Sequence, residues 1–254
     1  MSSSESTKNA KETKLVGVIP ARWASSRFPG KPLALIAGQT MIERVYARAK
    51  KAPLTEVYVA TDDQRIFKAV TAAGGQALMT AQSHASGTDR LAEAASLLNL
   101  ADDDVVVNVQ GDLPLLDPDY VGQIANSLLT SKHSVTTIAV PFDDLKDVLN
   151  PNHVKVVFDS QGRALYFSRA PIPFTRDGEG TLYYKHVGLY AYRVKFLRQF
   201  LSWPRGLLEA AENLEQLRIL EKGFSILVKV GQGPSPEIDV PEDVATVEAI
   251  LKNQ

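Results

Sequence analysis

The segment DVVVNVQ, residues 104–110, contains four valines and a single internal polar residue, Asn108. A short β-branched run without apolar–polar alternation is typical of a strand that is buried on both faces of a sheet. We therefore predict that this strand lies at the centre of the sheet. Ligands of open α/β sheets bind beyond the carboxyl ends of the strands, so Gly111 and Asp112, which follow directly, are candidate site residues.

Strand-like and helix-like segments alternate on both sides of this central run. Further strands are predicted at LVGVI (15–19), EVYVAT (56–61), QALMT (76–80) and SVTTIAV (134–140). Capping patterns predict helices from Thr40 to about Lys51, from Asp62 or Asp63 to Gly74, from Ser86 through RLAEAASLLNL (90–100), and from Asp117 to about Ser131. This first half therefore consists of repeated βα units.

The pattern changes after Asn150. VKVVFD (154–159) and ALYFSR (164–169) flank SQGR (160–163) as a hairpin, and KHVGLYAYR (185–193) adds a strand. The remaining segments predict one helix over 207–223 that ends at Gly223, a strand over 224–230 and a last helix over 241–253. The predicted fold is an α/β, doubly wound, Rossmann-like mixed sheet with helices on both faces and antiparallel hairpin additions.

The composition of the 254 residues narrows the function. There are 28 Lys and Arg against 29 Asp and Glu, so the chain has no excess of positive charge with which to hold a nucleic acid. Cysteine is absent, which excludes disulfides, zinc–thiolate sites and thiol catalysis. Residues 1–13 are polar and lack a signal-type apolar core, so we expect a disordered tail, no membrane insertion and a cytoplasmic protein with one domain over residues 14–254.

The loop within VIPARWASSRFPGKPL, residues 18–33, gathers three cations after the first strand: Arg22, Arg27 and Lys31. A P-loop would require glycine and Ser or Thr where this chain has Ser25 and Pro32, so that motif is excluded. Backbone amides and the three cations are suited to a triphosphate. The competing interpretation is ordinary surface salt bridging.

Two carboxylates are candidate magnesium ligands. Asp112 follows the central strand, and Asp239 precedes Pro241 in PEIDVPED. Mg²⁺ bound to substrate phosphates commonly takes one or two protein carboxylates. The sequence alone leaves alternatives open, because Asp112 can belong to an ordinary turn and Asp239 can be a simple helix cap.

The four histidines, His84, His133, His153 and His186, carry no recognisable catalytic pattern. A lone histidine is by default a core or surface residue. The chain lacks H-E-x-x-H, G-x-S-x-G and G-x-G-x-x-G, the local signatures of zinc proteases, α/β-hydrolases and dinucleotide oxidoreductases.

Eight motifs occur in a familiar order: IPARWASSRFPGKPL, VATDD, HASGTDRLAEA, VNVQGDLP, ALYFSRAPIP, KHVGLYAY, LEQLRILEKG and IDVPED. The chain closely resembles the family of 3-deoxy-manno-octulosonate (Kdo) cytidylyltransferases, over about residues 14–251. The resemblance implies a nucleotidyltransferase-type fold that makes CMP-Kdo and pyrophosphate from CTP and Kdo with Mg²⁺, for lipopolysaccharide synthesis. It also implies a homodimer, a nucleotide-binding part over about residues 14–140, and a sugar-binding and dimerisation part over about residues 141–254.

The resemblance also implies roles for individual residues. The triphosphate would be bound by Arg22, Ser25, Arg27 and Lys31, and the nucleotide by Ser86, Gly87 and Thr88. The sugar would be surrounded by Arg90, Gln110, Arg169, His186, Tyr190, Glu215 and Gln216. Asp112 and Asp239 would hold Mg²⁺, and Lys31, Arg22, Asp112 and Asp239 would form the catalytic set. Either Arg169 or Arg90 would bind the sugar carboxylate.

Two departures from the family pattern concern the expected sugar and metal site. Leu113 stands where the family usually has Glu, and Ala85 where it usually has Gln. We therefore predict that the acceptor is a modified Kdo, such as the 8-amino analogue. Two alternatives remain at this stage: a CMP-sugar synthetase of the sialic-acid type, and a non-catalytic nucleotide-binding protein.

Overall fold

The computed structural model describes residues 12–24, 28–84, 86–176, 182–233 and 236–253. The strands are β1 (Leu15–Ala21), β2 (Leu35–Ile36), β3 (Gln39–Thr40), β4 (Glu56–Thr61), β5 (Ala77–Met79), β6 (Val105–Asn108), β7 (Val135–Pro141), β8 (Lys155–Phe158), β9 (Ala164–Ser168), β10 (Tyr184–Arg193) and β11 (Leu227–Val230). The helices are α1 (Met41–Ala49), α2 (Gln64–Ala72), α3 (Gly87–Leu97), α4 (Pro118–Thr130), α5 (Leu145–Val148), α6 (Val194–Leu201), α7 (Leu207–Glu212), α8 (Leu217–Glu221) and α9 (Asp243–Lys252).

One mixed sheet organises the molecule, with the strand order β11-β7-β10-β6-β1-β4-β5. The predicted central position of β6 is confirmed. β6, β1, β4 and β5 run parallel, whereas β10 is antiparallel to both β6 and β7. The β8–β9 hairpin joins the sheet through β10. The predicted fold class, a doubly wound sheet with antiparallel additions, is therefore confirmed.

Helices cover both faces of the sheet, and alternate residues of the strands supply two apolar cores. In β1, Leu15 and Ile19 belong to one core and Val16 and Val18 to the other. The first core packs under α1, α2, α4 and α9, and the second under α3, α6 and α8. Within the described ranges, no helix combines the length and apolar character that a membrane span needs.

The capping signals gave accurate helix starts. Thr40 with Glu43 and Ser86 with Asp89 both form complete capping boxes, and the side chains of Asp63 and Asp117 cap α2 and α4. A capping side chain accepts a hydrogen bond from a backbone N–H group in the first turn of the helix. Because this contact is local, the sequence pattern is sufficient to predict where the helix begins.

Two helix predictions need correction. The segment 207–223 is not one helix: α7 ends at Glu212, the following Asn213 adopts the left-handed conformation (φ 52°, ψ 47°), and α8 begins after Gln216. Asn tolerates this conformation better than most residues do, so it can break a helix that the apolar pattern would continue. The predictions also lacked α6, which follows β10 directly and buries Phe196, Leu197 and Phe200.

Candidate active site

The site begins where the two neighbouring parallel strands β1 and β6 end. Val18 lies opposite Asn108, so the residues that follow both strands emerge at one edge of the sheet. The turn after β6 lies against β1: a Cβ atom on Gly111 would lie 3.1 Å from the carbonyl oxygen of Pro20. Glycine therefore permits the approach that brings Asp112 beside the opening loop.

Lys31 connects three distant segments at this edge. Its Nζ donates a hydrogen bond to Oδ2 of Asp112 (2.9 Å) and another to the carbonyl oxygen of Ile238 (2.8 Å). Oδ1 of Asp239 lies 3.9 Å from the same nitrogen. The two carboxylates, 127 residues apart in the printed sequence, thus face one ammonium group. Lys31 itself sits in a short 3₁₀ turn that follows Gly30, whose φ is 73°.

The alternative interpretation of Asp239 as the cap of the last helix is not supported. Glu242 flanks α9, and the carboxylate of Asp243 accepts the backbone N–H groups of Asp239 and Val240. This arrangement fixes the backbone before α9. The Asp239 carboxylate is directed toward Lys31 instead.

A first cavity of about 260 Å³ opens over this edge. Its lining combines the opening loop, the start of α3 and the turn after β6: Pro20, Ala21, Arg22, Lys31, Pro32, His84, Ser86, Gly87, Arg90, Gln110, Gly111, Asp112 and Asp239. Ser86 and Gly87 lie at the N-terminus of α3, where backbone N–H groups and the helix dipole favour an anion. The cavity therefore offers cationic and N–H groups beside the acidic pair.

A second, larger cavity of about 590 Å³ adjoins the first. The two share Gln110, Asp112 and Asp239. The rest of the second lining consists of Leu113 and residues from the other half of the chain: Pro151, Asn152, Val154, Arg169, Val187, Gly188, Asn213 and Glu237. Two ligands could therefore meet at a common rim that carries both carboxylates.

Two of the predicted sugar-site residues line the second cavity. Gln110 donates its amide Nε2 to the carbonyl oxygen of Gly188 (3.1 Å), which fixes the amide at the shared rim. Arg169 bonds to three backbone carbonyls, those of Glu212 (2.8 Å), Pro151 (2.9 Å) and Asn213 (3.4 Å). These three acceptors are uncharged, so none of them neutralises the guanidinium of Arg169, which lines the cavity.

Arg90 and Thr88 are both buried at the start of α3. Arg90 bonds to Asp62 (2.9 Å) and Thr80 and lines the first cavity, and its expected contact with the sugar carboxylate stays a prediction. Thr88 is buried too, and its hydroxyl donates to Oε2 of Glu215 (2.5 Å). It stabilises the start of α3 from behind the cavity.

His186 is a buried residue that lines neither cavity, and its expected role at the sugar stays a prediction. It contacts Phe167 edge-on and packs beside Tyr190. The Thr137 hydroxyl donates to the carbonyl oxygen of Leu189 (2.6 Å), so it accepts from Nε2 of His186 (2.9 Å). Burial, together with the nearby Lys185 charge, lowers the pKa of His186 to about 3 and keeps the ring neutral.

The other three residues expected around the sugar, Tyr190, Glu215 and Gln216, also lie behind the cavity walls. Tyr190 and Gln216 are buried, and Tyr190 pairs with Asn108 across the β10–β6 ladder. Burial raises the pKa of Glu215, while hydrogen bonds from Thr88 and Ser86 oppose the shift. None of the three is among the residues that line either cavity.

Within the described residues, no cluster of three or more His, Asp or Glu side chains could hold a metal by itself. Asp112 and Asp239 provide two carboxylates that already face one positive charge. That donor set suits Mg²⁺, which binds one or two protein carboxylates and takes its other ligands from substrate phosphates and water. Ser25 and Arg27, and the departure at Ala85, lie outside the described residues.

The sequence interpretation missed several charged residues of the site. Glu237 lines the second cavity and pairs with Lys185 (2.7 Å). His84 lines the first cavity and bonds to Glu93. Lys155 and Glu212 lie beneath the second cavity. Apart from the His84–Glu93 pair, which is nine residues apart, their partners are distant in sequence or are backbone carbonyls, and no sequence pattern indicates such partners.

Comparisons with known proteins identify relatives of this chain. The profile of the cytidylyltransferase family matches residues 16–229. The 8-amino-3,8-dideoxy-manno-octulosonate cytidylyltransferase of Shewanella pealeana is 51% identical over 92% of this chain and 97% of its own length. The 3-deoxy-manno-octulosonate cytidylyltransferase of Desulfatibacillum aliphaticivorans is 50% identical over 95% of this chain and 100% of its own length.

Solved structures extend the comparison to three dimensions. A CMP:2-keto-3-deoxy-manno-octonic acid synthetase, solved in complex with CTP, superposes with a TM-score of 0.90 at 41% identity, over 95% of this chain and 99% of that one. A 4-diphosphocytidyl-2C-methyl-D-erythritol synthase superposes with a TM-score of 0.64 at 15% identity, over 95% of this chain and 100% of that one, and shares the fold.

Proposed function

This chain belongs to the cytidylyltransferase family, and from that premise we propose that it transfers the cytidylyl group of CTP to a Kdo-type acid sugar, with release of pyrophosphate. Such a product is a precursor for lipopolysaccharide. The observation that carries the proposal is the pair of cavities that share Gln110, Asp112 and Asp239. Two substrates that react with each other need adjoining sites with one common rim.

We assign CTP to the first cavity. The triphosphate carries several negative charges, and this cavity presents Arg22, Lys31 and the N-terminus of α3. Charge-assisted hydrogen bonds from such groups bind phosphate oxygens strongly. The α-phosphate would lie at the rim, beside Asp112 and Asp239.

We assign the acid sugar to the second cavity. Its carboxylate would bind Arg169, whose fixed guanidinium presents N–H donors in the planar geometry that a carboxylate matches. The three lining carboxylates, Asp112, Asp239 and Glu237, face two lysines, Lys31 and Lys185. Arg169 adds a third positive charge to the lining, and it is the group that we assign to the anionic sugar.

In the reaction the oxygen of the anomeric hydroxyl forms a bond to the α-phosphorus and releases its proton to solvent, while the bond from that phosphorus to the β,γ-pyrophosphate breaks and pyrophosphate leaves. Phosphoryl-type transfer depends on positioning and charge stabilisation more than on covalent help from the protein. Lys31 would hold both carboxylates and neutralise charge at the rim. Gln110, fixed by Gly188, would orient the sugar beside the α-phosphate.

We propose Asp112 and Asp239 as the magnesium ligands. When bound, Mg²⁺ would neutralise phosphate charge and lower the pKa of the attacking hydroxyl. The Asp112–Lys31–Asp239 arrangement supports this assignment because a cation already lies between the two carboxylates.

The acceptor that we propose is a modified Kdo, such as the 8-amino analogue, with plain Kdo as the second candidate. Leu113 is buried and lines the second cavity at a position where the family usually carries a carboxylate. The relatives named above include both substrate types at nearly equal identity, so the choice needs a direct measurement.

A homodimer and a cytoplasmic location complete the proposal. β9 pairs with β8, carries Leu165 at 61% exposure, and leads toward Phe174 at 88% exposure. Large exposed apolar side chains near a strand edge are typical of an interface. Sedimentation would detect the dimer, and Phe174→Asp should weaken it.

Pyrophosphate release tests the function. Purified protein with CTP and Mg²⁺ should release pyrophosphate only when Kdo or 8-amino-Kdo is added, and direct competition between the two would identify the preferred acceptor. Faster turnover of a sialic acid would place the enzyme in the other branch of CMP-sugar synthetases. No release of pyrophosphate with any sugar would contradict the proposal. A preference for plain Kdo would contradict the proposal that Leu113 indicates a modified Kdo.

A further inference from the structure

Lys155 is a fully buried charged residue to which the reaction described above gives no role. It lies on β8 with 0% of its surface exposed. Its Nζ donates to the carbonyl oxygens of Asn150 (3.1 Å) and Arg169 (2.5 Å). Burial, and then the charge of Arg169, lower the pKa of Lys155, whereas the charge of Glu212 opposes this shift.

The position is costly for a lysine. Burial of an ammonium group costs free energy that neutral acceptors offset only in part, and an apolar side chain of similar volume usually stabilises a core better. Core packing alone therefore does not account for this residue. Its two carbonyl partners indicate what it does.

Both partners belong to segments that form the wall of the second cavity. Asn150 directly precedes Pro151 and Asn152, and Arg169 lines the cavity itself. Lys155 fixes the two segments from below by bonding to one carbonyl in each. Lys155 does not line the cavity, so it would act through these segments and not through contact with a ligand.

Two further charged groups complete the connection. The Glu212 carboxylate accepts the Ser168 hydroxyl (2.6 Å) and the backbone N–H of Arg169 (2.9 Å). The Arg169 guanidinium donates hydrogen bonds to the backbone carbonyl oxygens of Glu212 and Pro151. We call Lys155, Arg169 and Glu212 the charge network; it joins segments 150–152, 168–169 and 212–213.

We propose that Lys155 is a positioning residue for the sugar substrate, which it serves by holding the cavity wall and the Arg169 guanidinium in place through the charge network. The inference rests on the proposed function, because it takes the second cavity as the sugar site. The CTP cavity has a separate lining apart from the shared rim. A loss of Lys155 should therefore affect the two substrates unequally.

The test compares KM values for the two substrates in the wild type, Lys155→Met and Lys155→Arg. Methionine keeps a long unbranched chain without the ammonium, whereas arginine keeps the charge and the donors. We expect Lys155→Met to raise the KM for the sugar roughly tenfold to hundredfold, as loss of substrate positioning does. The KM for CTP should change less than about twofold, and Lys155→Arg should recover part of the sugar affinity.

Two further variants separate positioning from simple stability. Thr136→Val removes another buried donor to a backbone carbonyl, that of Ile124 (2.7 Å), and Thr136 lines neither cavity. It should lower the melting temperature without changing the ratio of the two KM values.

Glu212→Gln is the substitute test if Lys155→Met does not fold. Glu212 is partly exposed and contacts the Arg169 segment, so this variant should raise the KM for the sugar and leave the KM for CTP unchanged.

The outcomes are distinguishable. If the wild type turns over no sugar, both the proposed function and this inference fail. If the wild type is active, equal changes in both KM values, or no change, in folded Lys155→Met would overturn the inference alone. In the absence of folded Lys155→Met, the same results in Glu212→Gln would overturn it.

Discussion

At the residue scale, Lys31 is the side chain on which the account depends most. It contacts Asp112 and the carbonyl of Ile238, lies 3.9 Å from Asp239, and retains 16% exposure toward the first cavity. Without its ammonium the two carboxylates would repel each other, and a negative rim would repel CTP. A single lysine thus links the opening loop to the acidic pair.

Lys31→Met should lower kcat/KM for CTP by about 100-fold or more, because it removes a charge-assisted contact and exposes the repulsion between the aspartates. Initial rates of pyrophosphate release at saturating Mg²⁺ would measure this loss. Lys50→Met, at an exposed position after α1, is the matched control and should retain wild-type rates. Equal activity of the two variants would rule out the assigned role of Lys31.

His186 gives a prediction about stability and pH. Its pKa is about 3 in the folded protein and about 6.5 in an unfolded chain, so the unfolded state binds more protons between these values. The stability that the neutral His186 ring contributes is therefore fully present above about pH 6.5, and it is lost as the pH falls toward 3. From pH 7 to pH 5 this residue should cost about 2 kcal/mol of unfolding free energy.

Urea denaturation at pH 7 and pH 5 would measure that loss. In His186→Gln, which has no group that titrates in this range, the decrease between the two pH values should be smaller by about the same 2 kcal/mol. An identical pH dependence in both proteins would show that the pKa of His186 is not lowered by folding.

The site was predictable from the sequence only in part. Gln110 and Asp112 follow β6 within four residues, and Lys31 lies in the loop after β1. Because the carboxyl ends of parallel strands meet at one edge of the sheet, the sequence predicts that these residues lie at that edge. His186 could not be assigned in this way. A register shift between His186 and Tyr190 decides which face each side chain takes, and the short segment carries no signal for it.

At the element scale, the break between α7 and α8 has a consequence for the site. The apolar spacing of 207–223 fits a single helix, because Leu214 and Leu217 are both buried. The left-handed Asn213 directly follows Glu212, whose carboxylate accepts hydrogen bonds from Ser168 and Arg169. Those bonds are long-range and side-chain specific, so helical periodicity could not predict them.

Asn213→Val should destabilise the protein by about 1–3 kcal/mol, because a β-branched residue is strained at φ 52°. Asn213→Gly, which adopts this conformation without strain, should remain close to the wild type. Thermal or urea unfolding of the two variants would measure the difference. A stable valine variant would show that the turn does not require the left-handed conformation.

The start of α3 is the other element that shapes the site. Ser86 caps this helix reciprocally with Asp89 and lines the first cavity. Such local caps were predictable because both partners lie within four residues. The link from Thr88 to Glu215 was not, since its partners are 127 residues apart.

Ser86→Ala should cost about 1 kcal/mol of stability through loss of the cap, and it should also raise the KM for CTP. Chemical denaturation and initial rates would report the two effects separately. If Ser86→Ala is less stable than the wild type but has the same KM for CTP, Ser86 caps the helix and does not bind CTP.

At the scale of the whole molecule, the strand order explains why two cavities meet. β1 and β6 are parallel neighbours that end at the first cavity, and the antiparallel β10 beside β6 brings Gly188 to the second. The segment before α9 then returns from the far end of the chain to place Asp239 opposite Asp112. The fold therefore builds one rim from three regions of sequence.

The central claim is that Asp112 and Asp239 act as one unit, and a double-mutant cycle tests it most directly. kcat/KM for pyrophosphate release would be measured for Asp112→Asn, Asp239→Asn and the double variant. Residues that act as a unit are strongly non-additive, so each single variant should lose roughly 100-fold or more and the double variant little beyond that. Losses that multiply independently in the double variant would show that the two carboxylates do not share one site.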